Sequence, residues 1–318
     1  MDITSLKSKR SLVTGAILLI ILILLATLPL YKPGGYLIVL LSSILMYVIL
    51  TVSWVIFSGP TGYISLAPAA FFGVGIYTTA IIGRALPFPI VVAIGGLTSI
   101  CLALLVGALT LRLRGIYFAI FTFGLVKLIS HFMLFFELHM TGTRGRIVMV
   151  LSYNTIYYWM SGVFVLLMIT AYFIRNSKYG LALASIGQEE DAAAHTGVNV
   201  VMLKVITFAI SAFFMGTAGA IMATKWTYID PWIAFNPFYS FMPVLMAIFG
   251  GVGQFYGPVI GAIGFTYLEE FLITKFPELY MLLFGAILVL AILYLPGGLG
   301  GLVQKWWKGG LAGQHANT

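Results

Sequence analysis

Along most of this chain, apolar residues come in unbroken stretches long enough to cross a bilayer, separated by short polar links, with neither strand alternation nor a one-sided helical stripe. At 1.5 Å per residue, about 20 residues cover the roughly 30 Å hydrocarbon core. Residues 12–30 form the first such stretch, uncharged and preceded by Lys7, Lys9 and Arg10. It is too long for the apolar core of a cleaved signal peptide, and the following ATLPLYKPGG offers no small-x-small cleavage site, so it reads as a true span. Further spans are expected at 36–57, 64–82, 89–111, 116–136, 155–174, 200–224, 239–250, 257–274 and 279–295. The pattern predicts an all-α polytopic transmembrane helical bundle with about ten passes. The third pass contains Pro68 and several glycines and the eighth is short, so either is expected to be broken or re-entrant. Irregular backbone survives at membrane depth only where protein or a water-filled cavity satisfies its polar groups, which places both segments along a pathway.

Composition agrees with the pattern: 61% of the 318 residues are hydrophobic and 8% charged, against roughly 25% charged in a soluble domain. With a mean hydropathy of +1.07, the chain is excluded as an ordinary cytosolic enzyme or a disordered protein. The single cysteine, Cys101, rules out an intrachain disulfide or a multi-cysteine metal site. The net charge of +8 is spread over many short loops without a basic run interleaved with exposed aromatics, so it reports membrane orientation and not nucleic-acid binding. Ten passes with the N-terminus inside put Lys7, Lys9, Arg10, Arg112, Arg114, Arg175, Lys178, Lys204, Lys305 and Lys308 on the cytoplasmic side. Lys32, Arg84, Arg144, Arg146, Lys225 and Lys275 then lie outside, and Lys127 stays in the bilayer. The bias favours both termini inside, in a cell inner (plasma) membrane. The expected organisation is a cytoplasmic N-terminus (1–11), a transmembrane domain (12–302) and a cytoplasmic tail (303–318). The domain carries a cytoplasmic loop at 175–199 and an external loop at 137–154; neither is long enough for a soluble catalytic domain.

The cytoplasmic loop holds three of the nine acids, Glu189, Glu190 and Asp191, followed by Ala192, Ala193 and Ala194. Helix formers dominate from 181 to 196, Leu181, Leu183 and Ile186 are spaced as an apolar patch, and Gly197 can take the left-handed conformation that ends a helix. The expectation is one short interfacial helix whose small side chains permit close approach to a docking groove; an ordinary connecting loop is the bland alternative.

Here the chain resembles a known family. EEDAAAHTGV followed by KVITFAISAFFMGTAGAIMA is similar to the cytoplasmic coupling segment and next helix of branched-chain amino-acid ABC transporter permeases of the LivM type. GPTGYISLAPAAFFGVGIYTTA, LRLRGIYFAIFTFG, FGGVGQFYGPVIGA and the terminal LPGGLGGL resemble further family blocks, so the likeness covers most of 36–302 in order. The resemblance implies a subunit of an ATP-driven importer, with two permeases, two cytosolic ATPases and an extracytoplasmic solute-binding protein. The second permease is expected to be a different, LivH-like chain. This chain is expected to bind no cofactor, the ATP being used by the partner subunits; it has no G-x-x-x-x-G-K-[ST] phosphate loop. Energy must then arrive by contact, and Glu189, Glu190, Asp191, Ala192, Ala193, Ala194 and Gly197 are the expected receiver.

Glycines at 59, 62, 73 and 75, and at 250, 251, 253, 257, 261 and 264, suit close helix packing. Ser65, Tyr77, Gln254 and Tyr256 offer hydrogen-bonding groups to a passing amphipathic solute. Arg112 and Arg114 either anchor the fourth helix or touch an ATPase. His131, His139, His195 and His315 share no metal-ligand spacing and are assigned no chemistry. A lysine at the helix centre costs about 2.5–3.5 kcal/mol on insertion scales, so Lys127, Glu269 and Glu270 are either a structural ion pair, with Glu269 or Glu270 neutralising Lys127 or Arg144 and Arg146, or residues of the substrate pathway. The family pattern has an acid where Lys127 stands and Thr-Gly-Gly where this chain reads TGTRGR, placing Thr141 and Thr143 beside the expected pathway. Those departures either shift preference toward an anionic solute or re-pair charges. The expected function is a non-enzymatic permease moving a small amphipathic solute, by resemblance a branched-chain amino acid. The rivals are a stand-alone secondary transporter coupled to an ion gradient and a structural membrane protein.

Overall fold

The computed structural model describes residues 34–111, 113, 115–140 and 142–294. The first expected span, Arg112, Arg114, Thr141, the LPGGLGGL block and the C-terminal tail lie outside the described residues. Twelve helices are described: α1 (Gly35–Thr61), α2 (Pro68–Ile82), α3 (Phe88–Thr110), α4 (Ile116–Met140), α5 (Tyr153–Asn176), α6 (Lys178–Gln188), α7 (Glu190–His195), α8 (Val200–Met222), α9 (Pro231–Ala234), α10 (Phe238–Gly250), α11 (Gly257–Lys275) and α12 (Tyr280–Tyr294). Their starts follow local chemistry. Ser152, Ser177, Asn199 and Asp230 each accept a hydrogen bond from a first-turn N–H of α5, α6, α8 and α9, and prolines sit in the first turns of α2, α3, α9 and α11. Two strands of two residues, β1 (Arg146–Ile147) and β2 (Tyr228–Ile229), pair antiparallel with Arg146 opposite Ile229.

Six helical stretches are long and apolar enough to cross a membrane: Gly35–Thr61, Phe88–Thr110, Ile116–Met140, Tyr153–Asn176, Val200–Lys225 and Pro231–Gly250. They fall short of ten for identifiable reasons. Among the described residues, α2 and α12 are apolar but only 15 residues long each and α11 carries Glu269, Glu270 and Lys275, while the first expected span is outside the described residues.

Of the two doubtful spans, the third is irregular at its start and the eighth is helical throughout its expected bounds. Between α1 and α2 the chain runs without helix through 62–67, with Tyr63, Ser65 and Ala67 buried. Side chains replace the missing helical hydrogen bonds. Thr122 Oγ1 accepts from Leu66 N (2.9 Å), Ser240 Oγ accepts from Ala69 N (3.1 Å) and donates to Leu66 O (2.9 Å), and Trp54 Nε1 donates to Ser65 O (2.8 Å). The eighth expected span, 239–250, is one uninterrupted helix, α10, and the irregular backbone lies just before it at 235–237, where α9 ends; α9 and α10 together make the stretch Pro231–Gly250.

The core forms where α2, α3 and α8 meet with almost no side chain between them. A Cβ on Gly75 would fall on the Gly216 carbonyl, one on Gly216 would strike Ser99 and the Gly95 carbonyl, and one on Gly219 would strike the Phe72 carbonyl. Small residues let helices approach at the backbone, where dispersion and short polar contacts replace the hydrophobic effect that lipid removes. Thr79 Oγ1 donates across this contact to Ala220 O (2.8 Å), and Ser99 Oγ to Phe71 O (3.0 Å). Helices α10 and α11 close in the same way through Gly250, Gly257 and Gly261.

Overpacking a core contact costs about 1–3 kcal/mol and more where backbone is struck. Gly216→Val should therefore lower the thermal midpoint of the detergent-purified protein by several degrees or abolish folded yield, while Gly162→Ala, whose added methyl meets open space, should leave both unchanged. Equal midpoints in the two variants would contradict the backbone-contact account.

Candidate functional site

At one end of the bundle, four parts of the chain converge on a single buried ammonium. Lys204 lies in the second turn of α8, with 1% of its side chain exposed. Its Nζ donates to Glu190 Oε1 (2.7 Å), to Leu111 O just beyond α3 (3.0 Å) and to Tyr63 Oη (3.2 Å), and stands 4.5 Å from the centroid of the Tyr63 ring. Tyr63 Oη in turn donates to Glu190 Oε2 (2.6 Å). The three donors of the ammonium are thereby used, and both Glu190 oxygens are engaged. Breaking such a buried pair by removing one partner typically costs about 3–5 kcal/mol, because the other charge is left unmatched. Phe57, Phe118 and Phe208 pack around Tyr63 and each other at centroid distances of 4.9–6.5 Å, which walls this end of the bundle off above the clamp.

The clamp reshapes the expected coupling helix. The single helix expected over 181–196 is instead two, α6 and α7, because Glu189 between them is extended (φ −154°, ψ 110°). That break turns Glu190 inward to Lys204. Of the expected apolar patch, Leu183 and Ile186 are buried, whereas Leu181 is exposed. Ala193 is also buried, packed with Ile186 and Val200. Glu189, Asp191, Ala192, Ala194 and His195 remain exposed, an acidic face with small residues between. Gly197 takes φ +86° just past α7. Helix α6 itself rides on α1: a Cβ on Gly187 would meet the Pro60 carbonyl. Beside this junction, a cavity of about 400 Å³ lies between α1, α5, α6 and the 251–256 loop, with Gln254 in its lining. Arg175 at its edge donates to Gly253 O (3.2 Å).

The opposite end is pinned by a second polar cluster. Arg144 pairs with Asp230 (2.6 Å), Arg146 Nε lies 3.6 Å from the fully buried Glu137, Gly145 N donates to Glu137 Oε2 (2.9 Å), and Tyr228 Oη donates to Arg144 O (2.8 Å). This corrects the expectation that Glu269 or Glu270 neutralises these arginines. The β1–β2 pairing brings Asp230 to Arg144, whereas Glu270 accepts from Tyr36 Oη (2.9 Å) at the start of α1. Lys127 also has another partner, its ammonium lying 5.7 Å from the Trp232 ring centroid.

The expected pathway residues do not gather into one site. Ser65 is buried in the unwound 62–67 stretch, Tyr77 is buried and stacked on Phe235 (5.6 Å, 19°), Gln254 and Tyr256 belong to the loop at the clamp end, and Thr143 is exposed in the loop of the opposite cluster. Lys204 and Tyr63 were missed from sequence. The available signal was a cation in the second turn of an otherwise uncharged 23-residue helix that follows an acidic loop. Among the described residues, no three His, Cys, Asp or Glu side chains gather in a way that could hold a metal ion.

A family model described as branched-chain amino acid transport system / permease component matches residues 36–292. The chain is 25% identical to the high-affinity branched-chain amino acid transport system permease protein LivM of Salmonella typhimurium and 26% identical to LivM of Escherichia coli K12. Each match covers 80% of this chain and 68% of the relative. It is 27% identical to the permease protein LivH of Escherichia coli K12, over 40% of this chain and 41% of that protein. The comparison with solved structures returns no match. With a match over most of its length and several apolar helices of membrane-crossing length, this multi-pass membrane protein belongs to the family of branched-chain amino acid transport system permease components.

Proposed function

We propose that this chain is one membrane-spanning subunit of an ATP-driven importer that carries a small amphipathic solute, a branched-chain amino acid, inward by alternating access. The family membership and the names of the LivM and LivH relatives support the solute class and a LivH-like second permease. Two cytosolic ATPase subunits bind and hydrolyse the ATP, and an extracytoplasmic solute-binding protein delivers the solute. The observation that carries the coupling assignment is the Lys204 clamp. It ties the exposed acidic face of α7 to the α1–α2 junction, to the end of α3 and to α8, so a push on α7 reaches three spans at once. Lys204 and the 175–199 loop accordingly face the cytoplasm of an inner-membrane protein of about ten passes, with both termini inside. The tails are assigned to 1–11 and 303–318, and the permease domain to 12–302. The opposite cluster at Arg144 and Asp230 faces outward.

A bulky residue on the exposed face should block the partner without disturbing the fold. For the chain in complex with its ATPases, Ala194→Trp is expected to leave folded yield intact and reduce solute-stimulated ATP hydrolysis about tenfold, the loss of roughly 1.4 kcal/mol of coupling; unchanged stimulation would remove α7 from the contact. Lys204→Met alone should destabilise the purified subunit by about 3–5 kcal/mol, and adding Glu190→Leu should restore much of that stability without restoring coupling. Recovery of both in the double variant would show that the pair serves stability alone. A cysteine at Thr143 should react with an impermeant thiol reagent only from outside the cell, and labelling only from the cytosol would invert the orientation.

A further inference from the structure

Lys127 falls near the middle of α4, about 16 Å along the helix from Ile116 and about 20 Å from Met140 at 1.5 Å per residue, too far for its stem to snorkel to either surface. It is half-buried, on the flank of a helix face where Ile120, Gly124, Leu128 and His131 are exposed. An ammonium at this depth costs about 2.5–3.5 kcal/mol unless it faces protein or water, so this flank of α4 does not rest against lipid tails. The cation is also held in place. Trp232, 42% exposed, lies under it on α9, and α9 is fixed on three counts. Asp230 Oδ1 accepts from Ile233 N (2.8 Å), Arg144 pairs with Asp230, and Ser130 Oγ on α4 donates to Pro231 O (3.3 Å). His131, one turn on, lies edge-on to the same Trp232 ring (5.5 Å, 76°), with Nδ1 2.8 Å from Lys127 O. A carbonyl only accepts, so Nδ1 carries a proton, and a ring with that tautomer has its acceptor at Nε2.

From this geometry we propose that the α4 flank bearing Lys127 and His131 lines a water-filled passage, in which Lys127 holds the carboxylate of the crossing solute above Trp232. The ring covers one side of an ammonium that has three donors, and a charge-assisted bond to a carboxylate is the strongest partner for the remainder. His131 Nε2 supplies an acceptor one turn away, so the pair fits the opposite charges of a single zwitterion. This deepens the importer reading and rests on it for the passage, while the electrostatic signature of the face can be measured without transport.

The test uses membranes holding the chain with its partner subunits, with Cys101→Ala as background and Gly124→Cys as reporter, since a side chain at Gly124 meets open space. An anionic sulfonatoethyl methanethiosulfonate should label it about tenfold faster than the cationic trimethylammonium analogue, a field effect of the neighbouring ammonium. Lys127→Met should erase that preference and Lys127→Arg should keep it. L-leucine should slow labelling, and L-leucinol, which lacks the carboxylate, should not. The proposal is overturned if Gly124→Cys is unreactive while Thr143→Cys labels, if the preference survives Lys127→Met, or if leucine and leucinol protect equally. Anion preference with leucine protection, in a complex that takes up no solute, would leave this site standing and overturn the importer reading.

Discussion

An ammonium closed off from water has to be matched on every side, and the way Lys204 is matched determines how one end of this bundle is built. Its partners come from the unwound link between α1 and α2, the carbonyl just past α3, and the acid that opens α7. No two of these are close in sequence, so the fold around them must be complete before the charge is satisfied. The consequence is mechanical: α7, only six residues long and too short to hold itself as a helix, is held to the membrane body by the Glu190–Lys204 ion pair and the hydrogen bond from Tyr63.

The rest of the membrane body supplies the stiffness that such a link requires. Helices α2, α3 and α8 touch at glycine backbones, and the broken stretch at 62–67 has its exposed amides and carbonyls taken up by Thr122, Ser240 and Trp54. Close-packed interfaces of this kind switch between discrete arrangements and do not deform continuously, which suits the proposed alternating-access role. The second polar cluster, at Arg144, Asp230, Arg146 and Glu137, plays the matching part at the far end by fixing the 137–154 loop to the segment that carries Trp232.

Much of this was readable in the chain. Uninterrupted apolar runs gave the helical class and most span positions, and Pro68 with its neighbouring glycines marked the irregular start of the third pass, whereas the short eighth run proved to be continuous helix preceded by α9. Gly197 identified the end of α7 through its left-handed backbone, and the ordered blocks identified the family. What escaped was tertiary pairing. Glu190 and Lys204 are separated by a helix end and a cap, Tyr63 is far away in sequence, and nothing local says that Glu189 will take an extended backbone and turn Glu190 inward. The same blindness offered Glu269 or Glu270 as partners for either Lys127 or Arg144 and Arg146, because charge alone does not reveal that a two-residue strand pairing carries Asp230 to Arg144. Exposure within a membrane helix was equally hidden, so His131 was given no chemistry although it shares the Trp232 ring with Lys127.

The central claim is that the clamp makes α7 part of the membrane body and not a hinged flap. It is tested most directly by measuring the spin-label distance between cysteines at exposed Ala194 and Thr143, within one subunit of the assembled complex, before and after nucleotide binds the ATPases. A clamped α7 predicts that this distance is unchanged while distances to the partner subunits shift. A change within the subunit of about 5 Å, one helical turn, would show α7 moving on its own and contradict the account.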